Sequence, residues 1–344
     1  MRIRPPARRV ARALLPRGVA LCICLLLAAA CTQPSATVRP STSGSQAPSG
    51  TIRLYTSVTQ DTVDATLAAF AAVYPDVTVE LFRAPTGEVD ARIAAERREG
   101  RVLADVLWGT DPLSTAQYDA DGLLLAFDPP NAEDLPDAYR GETSWGTRIL
   151  NVVMVVHDGV EPMPADWPDL TDDAYRDGVA FADPGFAGSA LGTIAHFALT
   201  DAYGFDFLRA LHDNGAVQLQ SIGDVVTGVA EEQFEVGLAL DKSIRDAVDA
   251  GSPVQLVWPA SGSIAIYSPI SVFAASGNPD AAQAFVDFVL GPDAQAAISG
   301  TGWQPVRADV PWPYAQGEQQ QPDWDEAFER RDELLDEYRS IFGG

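Results

Sequence analysis

The stretch TIRLYTSVTQDTVDATLAAFAAVYPDVTVELF, residues 51–82, holds two hydrophobic periods in succession. Residues 51–55 form a short β-rich run and residues 77–82 form another. Between them Val63, Leu67, Phe70 and Tyr74 recur at helical spacing, with Thr59 or Asp61 placed to cap the helix and Pro75 to end it. Strand, helix and strand in that order open a parallel sheet with helices on its faces.

The alternation continues outward. A second helix is expected from Thr86, closed by Gly100, and a third strand at 104–108 runs into Gly109-Thr110-Asp111-Pro112 and another helix. Ligands of such sheets sit at the carboxyl ends of the strands, which points to Thr56, Ser57, Thr110 and Asp111. Residues 149–156, ILNVVMVV, read as a continuous apolar strand buried on both faces, suited to a crossover. Further strands are expected at 179–182, 217–220, before Asp241, at 254–258 and at 264–273. Helices are expected to open near Ser189, to cover 203–212 and 223–232, to follow at Asp241, and to cover 278–290, 292–299 and an acidic 325–341, with Asn278 and Pro279 starting the fifth of these.

The amino end reads differently. Residues 1–18 carry six arginines and no acid, and residues 19–30 are apolar, too short to span a bilayer that needs roughly 20 residues. The pattern is that of an export signal. After Cys31 the chain is rich in Ser, Thr, Pro and Gly up to residue 50, a flexible tether. All three cysteines (Cys22, Cys24, Cys31) fall at or before the start of that tether, so the body has neither disulfide nor thiolate metal site. Loss of the six arginines leaves a net charge of about −31, which nucleic acid and anionic lipid would repel. The acids are dispersed among 47% hydrophobic residues, so order is expected throughout the body except at 316–323.

Residues 27–31, LAAAC, resemble the lipobox of bacterial lipoproteins, with Ala28 where that pattern prefers leucine. The resemblance implies lipidation of Cys31. In the body, LYTSVTQDTVDATLAAFAAVYPDVTVE, ADVLWGTDPL, GSALGTIAHF, VGLALD and SPISVFAASGNPDAAQAFVDFVLGPDAQAAISGTGWQPVRADV span most of residues 51–310. In order and spacing they resemble the extracytoplasmic substrate-binding proteins of ABC importers. The group in question includes ferric-ion, thiamine and organophosphate or phosphonate binders. The resemblance implies an α/β, two-lobed periplasmic-binding-protein type II fold, each lobe a mostly parallel sheet flanked by helices, joined by two crossover strands. Lobe one would hold 51–153 and 269–344, and lobe two 154–268.

Small hydroxyl residues at strand ends that lead into helices suit an oxyanion, because helix N-termini expose unpaired N–H groups. Thr56-Ser57, Thr110 and Gly188-Ser189 have that arrangement, and the resemblance places such loops at the cleft. Plain helix capping is the alternative for each. Asp241 precedes Lys242, the only lysine, and reads either as a cleft carboxylate or as a cap; Asp224 has the same two readings. Arg148 could form a bidentate pair with a phosphoryl group, or lie at the surface. The adjacent tyrosines that ferric members use are absent, which disfavours iron, and His196 sits in an apolar run that suits packing. No Walker loop, dinucleotide fingerprint or G-x-S-x-G occurs.

The expectation is a lipid-anchored, extracytoplasmic, monomeric receptor without cofactor or metal. It would pass a small polar solute, an organophosphate or phosphonate, to a membrane permease. Ferric ion, a cationic solute such as thiamine or a polyamine, an anchored hydrolase, and a sensor or adhesin that lost transport are the alternatives.

Overall fold

A computed structural model describes residues 47–314 and 316–343; the expected leader (1–30), Cys31 and most of the tether lie outside the described residues. β1 (Gly50–Thr56), α1 (Gln60–Val73), β2 (Val77–Arg83), α2 (Thr86–Arg98), β3 (Val106–Trp108) and α3 (Pro112–Ala120) follow one another as the hydrophobic periods require. β1 lies between β2 and β3 and is parallel to both.

Next comes β4 (Ser144–His157), in which every residue from Trp145 to Val156 is buried. A strand covered on both faces has no reason to alternate, which explains its unbroken apolar sequence. A second parallel set follows, from β5 (Val179–Ala182), α4 (Gly188–Leu199), α5 (Gly204–Asp213), β6 (Val217–Leu219), α6 (Ile222–Ala230), β7 (Val236–Leu240) and α7 (Asp241–Asp249), with β5 between β6 and β7. The chain then returns through β8 (Val254–Val257) and the long β9 (Ser263–Val272) to α8 (Pro279–Leu290) and α9 (Pro292–Gly300). It finishes with β10 (Gln304–Pro305), β11 (Gln319–Gln320), α10 (Trp324–Glu329) and α11 (Arg331–Phe342).

All eleven strands join one sheet, whose main path runs β2-β1-β3-β9-β4-β7-β5-β6. The two parallel sets are its ends, and the antiparallel pair β4 and β9 is its middle. β4 pairs with β9 through its first part and with β7 through its last, so it carries the chain from one set to the other. This is the two-lobed, two-crossover arrangement expected. The first set is held to its helices by aromatic packing: Phe70 of α1 meets Phe285 and Phe288 of α8 at ring separations of 4.9 and 5.4 Å. Burying one such ring contributes about 1.5–3 kcal/mol.

Three expectations need correction. Residues 316–323 are not structureless, because Gln319 and Gln320 pair with Ser263 and Ile264 of β9. The terminal helix is two helices that meet at Arg330. Its second part, grouped with residues 51–153, packs also on the second parallel set: Phe342 lies on Phe181 of β5 at 5.0 Å, and the Tyr338 hydroxyl donates to Gln218 Oε1 of β6 at 2.6 Å. The physical reason is its apolar stripe, which finds a partner on α5 and α4.

Candidate ligand-binding cavity

A cavity of about 500 Å3 opens where the carboxyl ends of the two parallel sets face each other. Thr59 before α1, Pro85 before α2, Ala187 before α4, Ser221 before α6 and Leu240 before α7 all line it. Five helices therefore begin at its wall. In four of them the residue before the first turn gives no side-chain cap, whereas Ser221 Oγ accepts from Asp224 N at 3.1 Å. A helix start leaves four N–H groups without intrahelical partners, and the macrodipole adds positive potential there. Thr62 N of α1 is taken by Asp61 Oδ1 at 2.8 Å, whereas the starts of α2 and α4 have no capping side chain, and donors left free at one hollow make an anion site.

The charge that completes it is Arg148. The β4–β9 register slips between Gly146 and Arg148, and such a bulge re-aims the side chain that follows it. Thr147 Oγ1 is fixed by accepting from Trp108 Nε1 at 2.8 Å and donating to Ser268 O at 2.9 Å. Arg148 is 1% exposed, donates from Nε to Ser268 Oγ at 3.0 Å, and lies over the Trp303 ring with its guanidinium carbon 4.4 Å from the centroid. Its Nη1 has no partner, and among the described residues no carboxylate pairs with it. Burial pushes its pKa down to about 9, with Arg83 adding to the effect and Asp61 opposing it. The group stays charged at neutral pH, and an unpaired buried cation attracts an anion.

A row of hydroxyls forms the floor. Thr110 Oγ1 lies 3.0 Å from both Ser57 Oγ and Thr86 Oγ1, and all three residues line the cavity. Arg83, at the end of β2, also lines it and donates to Val58 O at 2.7 Å. Glu88 and Asp224 are its carboxylates, and Phe186, 45% exposed, stands among its apolar walls.

The structure brings together six of the nine sequence-derived candidates: Ser57, Thr110, Arg148, Gly188, Ser189 and Asp224. Three others do not line the cavity. Thr56 is fully buried; its Oγ1 donates to Trp108 O at 2.6 Å and accepts from Val58 N at 3.0 Å, which staples β1 to β3. Asp111 caps α3, accepting from Leu113 N at 2.9 Å and Ser114 Oγ at 2.6 Å. Asp241 is 1% exposed and accepts from Arg245 Nη2 at 2.8 Å. Arg148 is no surface residue, and neither Ser57 nor Ser189 caps a helix. His196 is packed beside Phe197 and Tyr203. Sequence reading missed Arg83, Thr86, Gln220 and Ser221, all at the same strand ends. The strand-end rule would have found them; their residue types alone would not.

The family model described as bacterial extracellular solute-binding protein matches residues 52–304, nearly the whole described body. The chain belongs to that family. This solute-binding protein is 25% identical over 246 residues, 68% of its length and 71% of the relative's, to a Salmonella typhimurium protein provisionally named a 2-aminoethylphosphonate-binding periplasmic protein. Its structure superposes with a TM-score of 0.75 on the periplasmic binding protein AfuA from Actinobacillus pleuropneumoniae, which holds fructose-6-phosphate; identity is 23%, covering 85% of this chain and 98% of that one. Iron-bound HitA from Pseudomonas aeruginosa superposes with a TM-score of 0.72 at 19% identity, covering 85% and 99%. At these identities the structural likenesses establish the type II periplasmic-binding fold of this solute-binding protein.

Proposed function

We propose that this solute-binding protein is the extracytoplasmic receptor of an ABC importer, that it takes a small phosphonate or phosphate monoester, and that Cys31 tethers it to the membrane. The observation that carries the ligand class is Arg148, a buried guanidinium without a carboxylate, facing a hollow ringed by helix starts. A tetrahedral oxyanion would accept from Arg148, from the Ser57, Thr86 and Thr110 hydroxyls, and from free N–H groups of α2 and α4. Glu88 and Asp224 would face the remainder of the ligand, where an ammonium or hydroxyl group suits them. The Salmonella typhimurium relative supports this class.

The residues 51–153 and 154–268 are proposed to be the cores of two halves that close on the solute, with β4 and β9 as the hinge and α11 travelling with the second half. Capture and closure need no bond making, and no histidine, cysteine or lysine lines the cavity. Iron finds no tyrosine in that lining.

Thermal-shift screening of the full chain tests the reading. Aminophosphonates and sugar phosphates should raise the melting temperature, since a ligand held 100-fold above its Kd adds about 2.7 kcal/mol. A response to ferric salts or thiamine alone would contradict it.

A further inference from the structure

Two glycines meet the opposite side of the cavity, and neither is required by its own backbone. Gly87 is the second residue of α2 and Gly188 the first of α4, and neither has a positive φ. Alanine is the better helix former at both places. A Cβ on Gly87 would lie 2.5 Å from Gly185 O, in the loop before α4. A Cβ on Gly188 would lie 2.8 Å from Thr110 Oγ1, 2.8 Å from Thr86 Oγ1 and 3.1 Å from Asp111 Cβ. These partners are 77 to 102 residues away in sequence and belong to the other parallel set. The Gly185 carbonyl is backbone and cannot turn aside, and the two threonine hydroxyls are already held to one another at 3.0 Å.

We infer that Gly87 and Gly188 set how far the two halves close, and with it the size of solute that is gripped. The inference rests on the receptor reading above. With glycine at both positions the start of α4 comes down onto the threonine floor, so one small oxyanion can touch donors from both sides. A single methyl group at either position would stand the walls apart by roughly the depth of a methyl, since neither the Gly185 carbonyl facing Gly87 nor the paired threonine hydroxyls facing Gly188 can absorb it. The donors of α4 would then lose reach to an anion seated on Thr86 and Thr110. Larger solutes would be penalised less.

The test uses the full chain with Gly87→Ala and Gly188→Ala. Titration with 2-aminoethylphosphonate should show at least a tenfold rise in Kd for each variant, while the melting temperature of the ligand-free protein is unchanged or higher. Affinity equal to that of the parent protein overturns the inference. A second experiment needs no ligand and leaves both glycines in place: Leu113→Cys with Leu191→Cys, which share one buried cluster between α3 and α4, should form a disulfide under mild oxidation, and adding Gly188→Ala to that pair should slow it. The single variants control for the cysteines at 22, 24 and 31. No cross-link in the double variant overturns the proposed contact. A parent protein that ignores 2-aminoethylphosphonate while the double variant cross-links faults the ligand reading and leaves the contact standing.

Discussion

Arg148 lies over the indole of Trp303, its guanidinium carbon 4.4 Å from the ring centroid, and its Nη1 is buried without a hydrogen-bond partner. The stacking holds the cation in place and leaves its donor unspent. Arg148→Met should therefore separate stability from binding. Removing an uncompensated buried charge leaves the ligand-free melting temperature equal or higher, whereas phosphonate affinity falls by about 2–5 kcal/mol. Denaturation and titration of the same preparation check both signs.

Asp241 gives the opposite pattern. It forms a buried ion pair with Arg245, which also donates to Gly302 O at 2.8 Å and lies 3.9 Å from the centroid of the Tyr314 ring. Burial raises its carboxyl pKa, and Arg245 opposes that. Asp241→Ala should strand the Arg245 charge and cost about 3–5 kcal/mol of stability. Solute affinity, measured well below the lowered melting temperature, should stay within a few-fold of the parent value.

Two buried groups tilt the pH profile in opposite directions. Burial pushes Asp111 from 3.8 up to about 6, with nearby Asp90 adding to this and Ser114, Leu113 and Arg331 opposing it. The folded state holds that proton where the unfolded chain has lost it, so the contribution is full below 3.8 and disappears as pH rises through 6. Burial pushes His196 from 6.5 down to about 4, so stability is lost as pH falls from 6.5 towards 4. Each effect is on the order of 3 kcal/mol, and together they nearly cancel between pH 6 and 4. Asp111→Asn should expose an acid-sensitive melting curve and His196→Phe an acid-stabilised one, read by melting temperature across that range.

Much of the fold is legible in the sequence because its strands are either short and followed at once by helices, or, as in β4, apolar without interruption. The site is less legible, for a reason visible at Thr56 and Ser57. Successive strand residues point to opposite faces, and the strand-end rule cannot say which of two neighbours turns to the ligand. Ser57 lines the cavity, whereas Thr56 ties β1 to β3. Asp241 misled for another reason: it follows a strand of the right kind but opens α7 and spends its carboxylate on Arg245 one turn on. Arg148 was visible only as a charge at the edge of an apolar run; the bulge that turns it inward has no signature in residue type. The placement of α11 was hidden because a solvent-facing acidic surface says nothing about which neighbour its apolar stripe will meet.

That placement has its own consequence. Leu334 of α11 is fully buried in a cluster with Leu113 of α3, Leu191 and Ala195 of α4, and Ala327 of α10. Elements that precede β4 and elements that follow it share this cluster. Leu334→Ala should cost about 2–5 kcal/mol in chemical denaturation.

Calorimetric titration of the full chain with 2-aminoethylphosphonate, fructose 6-phosphate and ferric citrate, run beside Arg148→Gln, is the most direct test of the account. It predicts a Kd in the micromolar range or tighter, about −8 kcal/mol or better, for at least one of the two phosphorus compounds, and a Kd at least about 30-fold weaker for the variant. Binding of ferric citrate alone, or a variant that binds as the parent protein does, would contradict it.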